Sequence, residues 1–192
     1  MRLLWLLLAL VLTAGCRNAA DCTESQDRPI DPVLLAFLSR ARAAHHAADL
    51  AESRSDRPRA IDVLREVSDG PLPAGQASEA AEVREVLADT LARLADLQSQ
   101  QGAHDDALRR IDRGLALVPT PTYFRGHLYE VRGLAEERLA ARLQAQGDAP
   151  GAAAAKERAF SALEAAMKLQ ASVIEQSART QRGAPPAPSS RN

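Results

Sequence analysis

Aromatic side chains are scarce in this 192-residue chain, at 3%, and cysteine is scarcer still, with two. Val, Ile and Thr are also few. Strands are built largely from aromatic and β-branched residues, so these shortages exclude a β-rich fold. Charge of one sign is lacking too: 24 basic side chains stand against 25 acidic ones, in no block of either. A dedicated nucleic-acid binder needs clustered Lys and Arg to neutralise phosphates, so nucleic acid is not an expected partner. Also missing are G-x-S-x-G, H-E-x-x-H, a phosphate-binding Gly-rich loop and any Cys or His spacing that suits a metal. No enzyme, cofactor or metal is therefore expected. What is abundant is Ala (39) and Leu (26), about a third of the chain. These strong helix formers predict an all-α fold.

The N-terminus carries the most specific pattern. Arg2 precedes an apolar run over residues 3–12. That length suits the hydrophobic region of a secretory signal and is about half of the ~20 residues needed to span a bilayer. Leu12-Thr13-Ala14-Gly15-Cys16 follows, small residues leading into a cysteine. This resembles the lipobox of bacterial lipoproteins. The resemblance implies cleavage between Gly15 and Cys16 and diacylglyceryl transfer to the Cys16 thiol, with acylation of the new amine. It departs from the commonest form at Thr13, where Leu or Val is more usual. Each buried methylene contributes about 0.8 kcal/mol, so two or three chains hold a protein at a membrane where one does not. Arg17 after the cysteine, in place of Asp, is similar to the pattern sorted to the outer membrane in enteric lipoproteins. The implied location is the bacterial envelope, on the outer membrane facing the periplasm. An ordinary cleaved secretory signal is the alternative.

With Cys16 consumed, Cys22 is the one remaining thiol, either incidental or the site of an intermolecular disulfide. Residues 16–30 are polar and aperiodic and are expected to form a flexible tether. At roughly 3.3 Å per residue it reaches on the order of 50 Å. Residues 179–192 include Pro185-Pro186-Ala187-Pro188 and are expected to be a disordered tail.

The body, residues 31–178, is long enough for one core. Its punctuation predicts helices over residues 31–53 and 58–68, then a loop through Gly70, Pro71, Pro73 and Gly75. The next helix is expected from about Ser78, with Val83, Val86, Leu87, Leu91, Leu94 and Leu97 along one face. Gly102 marks a turn, and the following helix is expected over residues 105–117. A third pair is expected at 123–146 and 150–177, around Gly147. The reading is thus three antiparallel helical hairpins.

One stretch resembles the tetratricopeptide repeat. Between Ala88 and Pro121 stand Leu91, Leu94 and small Ala95, then Gly102, Ala107, Ile111, small Gly114, Leu115, Leu117 and Pro119. The outer pairs match more weakly, through Ala60 and Leu64 and through Ala159, Leu163 and Ala166. The resemblance implies hairpins stacked as an array. Taking Ala60, Ala107 and Ala159 as equivalents, they lie 47 and 52 residues apart rather than 34. Elongated helices are the expected cause, and a helical bundle without repeats is the alternative. In such arrays the first helices line a groove for a peptide or partner helix. The groove residues implied are Arg42, His45, Asp49 and Glu52, then Asp89, Arg93, Asp96 and Gln100. The Lys and Asn clamp for a C-terminal carboxylate is not reproduced.

The remaining polar residues are read without chemistry. His45 and His46 diverge by about 100° on a helix and cannot share a metal unaided. His104 and His127 are expected to be solvated. Asp105-Asp106 and Glu136-Glu137 are expected to be helix-start charges or a wet face. Tyr123, Phe124 and Tyr129 form either a contact cluster or packing at a junction between pairs. The expected function is a membrane-anchored scaffold for an unidentified protein partner, with assembly of an envelope machine as the role that such a scaffold suits. A structural or regulatory lipoprotein that only forms a homo-oligomer is the alternative.

Overall fold

Six α-helices and one 3-10 turn account for the regular structure of residues 31–183, the part of the chain that the computed structural model describes. Gly15, Cys16, Cys22, the leader, the tether up to Ile30 and residues 184–192 lie outside the described residues. The helices are α1 (Pro32–Ser53), α2 (Arg57–Ser68), α3 (Ala81–Gln100), α4 (His104–Leu117), α5 (Tyr123–Ala145) and α6 (Ala149–Gly183). No strand occurs among the described residues, so the fold is all-α.

Helix boundaries follow local chemistry. Pro58 stands in the first turn of α2, where a missing N–H costs nothing, and the Asp56 side chain accepts from the Arg59 N–H. Thr122 caps α5 in the same way by accepting from the Arg125 N–H. The turns α1–α2, α3–α4 and α5–α6 share one backbone motif. In each, a residue with positive φ (Ser55 at 60°, Gly102 at 81°, Gly147 at 82°) closes the preceding helix. The next residue's N–H then bonds back to a carbonyl five positions earlier: Asp56 to Ala51, Ala103 to Gln98, Asp148 to Leu143. These paired bonds satisfy the last carbonyls of the helix.

Two boundaries differ from the sequence reading. Where α3 was expected to begin near Ser78, a 3-10 helix covers Gly75–Glu79, Ala80 is extended, and α3 starts at Ala81. The Ser78 hydroxyl donates to the Gly75 carbonyl and Ala77 is buried, which holds this segment in its own tight turn. At the far end α6 continues to Gly183, so residues 179–183, expected in the tail, are helical. Helix-compatible Ala178, Arg179, Gln181 and Arg182 carry it as far as the Gly before the Pro-rich stretch.

Packing is between neighbours. Helix α1 packs on α2, α3 on α4 and α5 on α6, while α3 also touches α1, α2 and α5, and α4 touches α5. Among the described residues, neither α1 nor α2 reaches α5 or α6, and α4 meets them only through side chains at the end of α2 and beside Phe37 and Val67. Helix α3 is the hub: Leu94 and Leu97 join Ala48, Ala51, Ala60 and Leu64, while Ala88, Ala92 and Ala95 join Ala107, Ile111, Leu128 and Val131. The expected apolar stripe of α3 is buried, apart from Val86, which is partly so.

Helices α5 and α6 run antiparallel. A Cβ on Gly126 would meet Gln170, one on Gly133 would meet Leu163 and the Ala159 carbonyl, and Glu136 pairs with Arg158. On α6 the small residues Ala152, Ala155, Ala159, Ala162 and Ala166 are buried. Small side chains on both helices let the axes approach toward the low end of the usual ~8–10 Å range. Counted from the turns, the residue of α6 equivalent to Ala60 and Ala107 is buried Ala152, not Ala159 as the sequence reading had it. Ala60, Ala107 and Ala152 each lie five positions after Ser55, Gly102 and Gly147. The spacings are then 47 and 45 residues, and their length over 34 lies before Ala107 and before Ala152, where α3 and α5 run for 20 and 23 residues.

Candidate functional site

The side chains expected to line a groove lie on α1 and α3, and the structure gathers most of them into an ionic seam. Arg93 reaches from α3 to α1. Its Nη1 donates to the His45 carbonyl at 3.1 Å, and its Nη2 donates to Asp49 at 2.6 Å and also to Glu52. His45 Nε2 lies 2.9 Å from Thr90 Oγ1, and its Nδ1 lies 3.9 Å from Asp89. The Thr90 hydroxyl donates to the Val86 carbonyl, so its oxygen accepts from His45, which fixes the proton on Nε2. A second proton would go to Nδ1, facing Asp89. Burial holds the His45 imidazole below the ordinary histidine value, outweighing the pull of Asp89 and Asp49 in the opposite direction, with Arg93 adding to the depression.

Asp96 and Gln100 belong to a second knot further along α3. Arg138 of α5 donates to Asp96 at 2.7 Å and to the Ser99 hydroxyl at 2.6 Å, and the Gln100 amide donates to the other Asp96 oxygen. Arg42 stands apart: it is exposed and makes no hydrogen bond or ion pair among the described residues. Seven of the eight groove residues thus face one another or α5, across a seam that runs from α1 over α3 to α5.

Arginine forks join successive helices elsewhere as well. Arg110 and Arg113 of α4 clamp Asp69 at the end of α2, and Arg113 also donates to the Ser68 carbonyl. Hydrogen bonds from Arg110 pull the Asp69 carboxyl below its ordinary value. Arg125 donates to the Leu115 and Val118 carbonyls, covering the C-terminal end of α4. Arg132 pairs with Asp112, and Arg142 donates to the Gly102 carbonyl. This network was missed in the sequence, although 22 of the 24 basic residues are Arg and only Lys156 and Lys168 are Lys. A planar fork holds two acceptors at once, which an ammonium cannot do, so the skew toward Arg was the readable signal.

Two polar readings are corrected. Glu136, expected on a wet face or as a helix-start charge, is 4% exposed and takes two bonds from Arg158 at 2.9 and 2.8 Å. Glu137 is exposed, as expected. His104, expected to be solvated, is 6% exposed, with its Nδ1 unpartnered. It opens α4 directly beneath α5, where burial, reinforced by Arg142, lowers its pKa. His46 is exposed, and His127 is partly covered, stacking on Tyr123 and facing Glu130 at 3.4 Å. The aromatic trio divides. Phe124 packs against the core between α3, α4 and α5, Tyr129 lies by Arg125, and Tyr123 is 57% exposed at the start of α5.

Among the described residues no group of three His, Cys, Asp or Glu is placed to hold a metal ion. None of their helices is long and apolar enough to cross a membrane. No family model matches the chain, and no curated protein or solved structure matches it either.

Proposed function

We propose that the chain is a bacterial envelope lipoprotein, anchored through Cys16, whose helices form an array of three stacked hairpins that serves as a scaffold for protein contacts. The observation that carries the scaffold reading is the neighbour-only packing. The first pair touches the second, the second touches the third, and the first never reaches the third. A closed bundle brings its end helices together around one core, whereas a linear array leaves two faces and two ends open. The recurrent turn supports the same reading, with Ser55, Gly102 and Gly147 spaced by 47 and 45 residues. So do the similar lengths of the first helices: 22, 20 and 23 residues. The tetratricopeptide likeness rests on the middle pair. Its 34-residue period is stretched here by the 3-10 connection before α3 and by the lengths of α3 and α5, 20 and 23 residues.

In this reading the row α1, α3, α5 is the contact face, and Arg42, His45, Asp49, Asp89, Arg93, Asp96 and Gln100 are its polar surface. Because most of these are already paired with one another, a partner meets a pre-organised mixed-charge ridge rather than a set of free cations. The tether between Cys16 and α1 sets the reach from the membrane, with the outer membrane facing the periplasm as the proposed location. No cofactor, metal or catalysis enters this role.

Mass spectrometry of the mature N-terminus tests the anchor: a diacylated or triacylated Cys16 supports it, and an unmodified Cys16 or a cut elsewhere sinks it. Crosslinking and affinity capture from envelopes tests the scaffold. A defined envelope assembly that is recovered with the wild type and lost with an Arg42→Glu/Gln100→Glu variant supports it. Recovery of this chain alone favours the self-associating alternative.

A further inference from the structure

Among the described residues helix α6 contacts no helix but α5, and along one flank, about a quarter of the way round from the buried Ala155, Ala159, Ala162 and Ala166, it bears a stripe of large apolar side chains. Phe160, Met167 and Ile174 are 68%, 62% and 68% exposed and stand at intervals of seven. At the alternate positions of the same seam lie Glu164 and Ala171 between them, Glu157 before them and Ala178 after them. A repeat of seven with alternating spacings of four and three is the seam of two helices packed at about 20°. Isolated apolar residues on a surface need no explanation, but three in one line along four turns of a single helix do.

We propose that this stripe is the self-association surface of the protein, pairing α6 with α6 of a second copy in antiparallel orientation. Shape and charge select that occupant and that direction. A parallel, in-register pair would stack each large residue on its own copy, leave Ala171 and Ala178 facing themselves across gaps, and press Glu157 and Glu164 against their own copies. In the antiparallel register Phe160 enters the space over Ala178 of the second copy, Met167 the space over its Ala171, and Ile174 lies along the aliphatic stem of its Glu164, whose carboxylate points out toward Lys168. The two Glu164 residues then lie about ten positions apart, roughly 15 Å along the axis. Glu157 at one end of the stripe falls beside the basic end of the other copy, Arg179 and Arg182. Glu164 keeps its ion pair with Lys168, 2.9 Å away on the next turn, at the rim of the seam.

A membrane surface fits this face less well. Glu157 and Glu164 lie on the stripe itself, so seating Phe160 and Met167 among acyl chains would force two carboxylates toward hydrocarbon. The pairing uses this flank of α6, which none of the groove residues on α1 and α3 shares, so it stands whether or not the scaffold reading does. Three apolar side chains per copy give a short seam, and micromolar association is expected.

The test uses the full chain in detergent at about 100 µM, above the expected dissociation constant. Sedimentation equilibrium should give a dimer for the wild type and half that mass for Met167→Glu, with the far-UV helical signal unchanged. Should Met167→Glu lose helix, Met167→Ser carries the same comparison. In a Cys22→Ser background, a mixture of Phe160→Cys and Ala178→Cys chains should form a mixed disulfide on oxidation, assigned by peptide mapping. A monomeric wild type overturns the proposal, and a Phe160→Cys chain that crosslinks to itself overturns the antiparallel register. A Cys16→Ala chain that stays monomeric yet floats with phosphatidylethanolamine–phosphatidylglycerol vesicles, and loses this with Met167→Glu, overturns it in favour of a lipid surface.

Discussion

Ser55 holds a backbone conformation that Gly102 and Gly147 hold in the other two turns, with φ at 60°. A Cβ in the left-handed region costs roughly 1–2 kcal/mol, so Ser55→Gly should remove part of that strain without touching a contact. The expected result is a rise in thermal midpoint of about 2–4 °C. Gly102→Ala should move it the other way by a similar amount. Equal midpoints for all three proteins would show that the shared turn is not what closes α1 and α3. Glu136 gives a larger effect. Its carboxylate is 5% exposed and held by the two Arg158 bonds, so Arg158→Ala leaves a buried acceptor unpaired and should destabilise by about 2 kcal/mol or more. Arg158→Lys should recover only part of this, because one ammonium cannot replace a fork. Chemical denaturation of the wild type and the two variants checks both statements.

At the scale of elements, the contacts of α5 with α6 and with α4 depend on residues that are nearly absent as side chains. A Cβ built on Gly133 falls 2.5 Å from Leu163 Cγ, and one on Gly114 falls 2.7 Å from Leu128 Cδ2. Gly133→Leu should therefore force α5 from α6 and cost about 1–3 kcal/mol. Leu163→Ala in the same chain should return part of the loss, a coupling that a double-mutant cycle would reveal. Ala107→Leu, at a position fully buried between α3 and α4, should cost a comparable amount. Helix limits were legible because their signals are local. Pro58, Gly102, Gly147 and the periodicity of α3 act on backbone within four or five residues. The 3-10 segment was not legible, since Ser78 before an apolar run looks like a helix start until buried Ala77 shows that the chain has already turned. The choice of Ala159 over Ala152 failed for a related reason: in a helix so rich in alanine, spacing alone cannot say which Ala lies beneath a neighbour.

For the molecule as a whole, the two covered imidazoles set a pH dependence. His45 and His104 both titrate below the ordinary histidine value when folded. The folded state then binds the proton more weakly than the unfolded chain does. Stability is full above the histidine range and falls as pH drops through it, from about pH 7 to pH 5. Thermal melts should show this decline, and a His45→Gln/His104→Gln chain should be flatter over the same interval. Asp69, held low by Arg110 and Arg113, adds a separate loss at lower pH, below about 4, once its carboxylate takes up a proton. The two windows do not overlap, so the double histidine variant should leave the acid limb in place.

The sequence by itself determined that the chain is helical and roughly where its helices begin and end, since caps, breakers and apolar periodicity are read within a few residues. Which polar side chains would meet was decided by tertiary structure. Arg93 finds Asp49 across 44 positions and Arg138 finds Asp96 across 42, distances at which no local preference operates and only the packing of one helix against another brings charge to charge. The same packing took Glu136 and His104 out of water, and it left Phe160, Met167 and Ile174 in it.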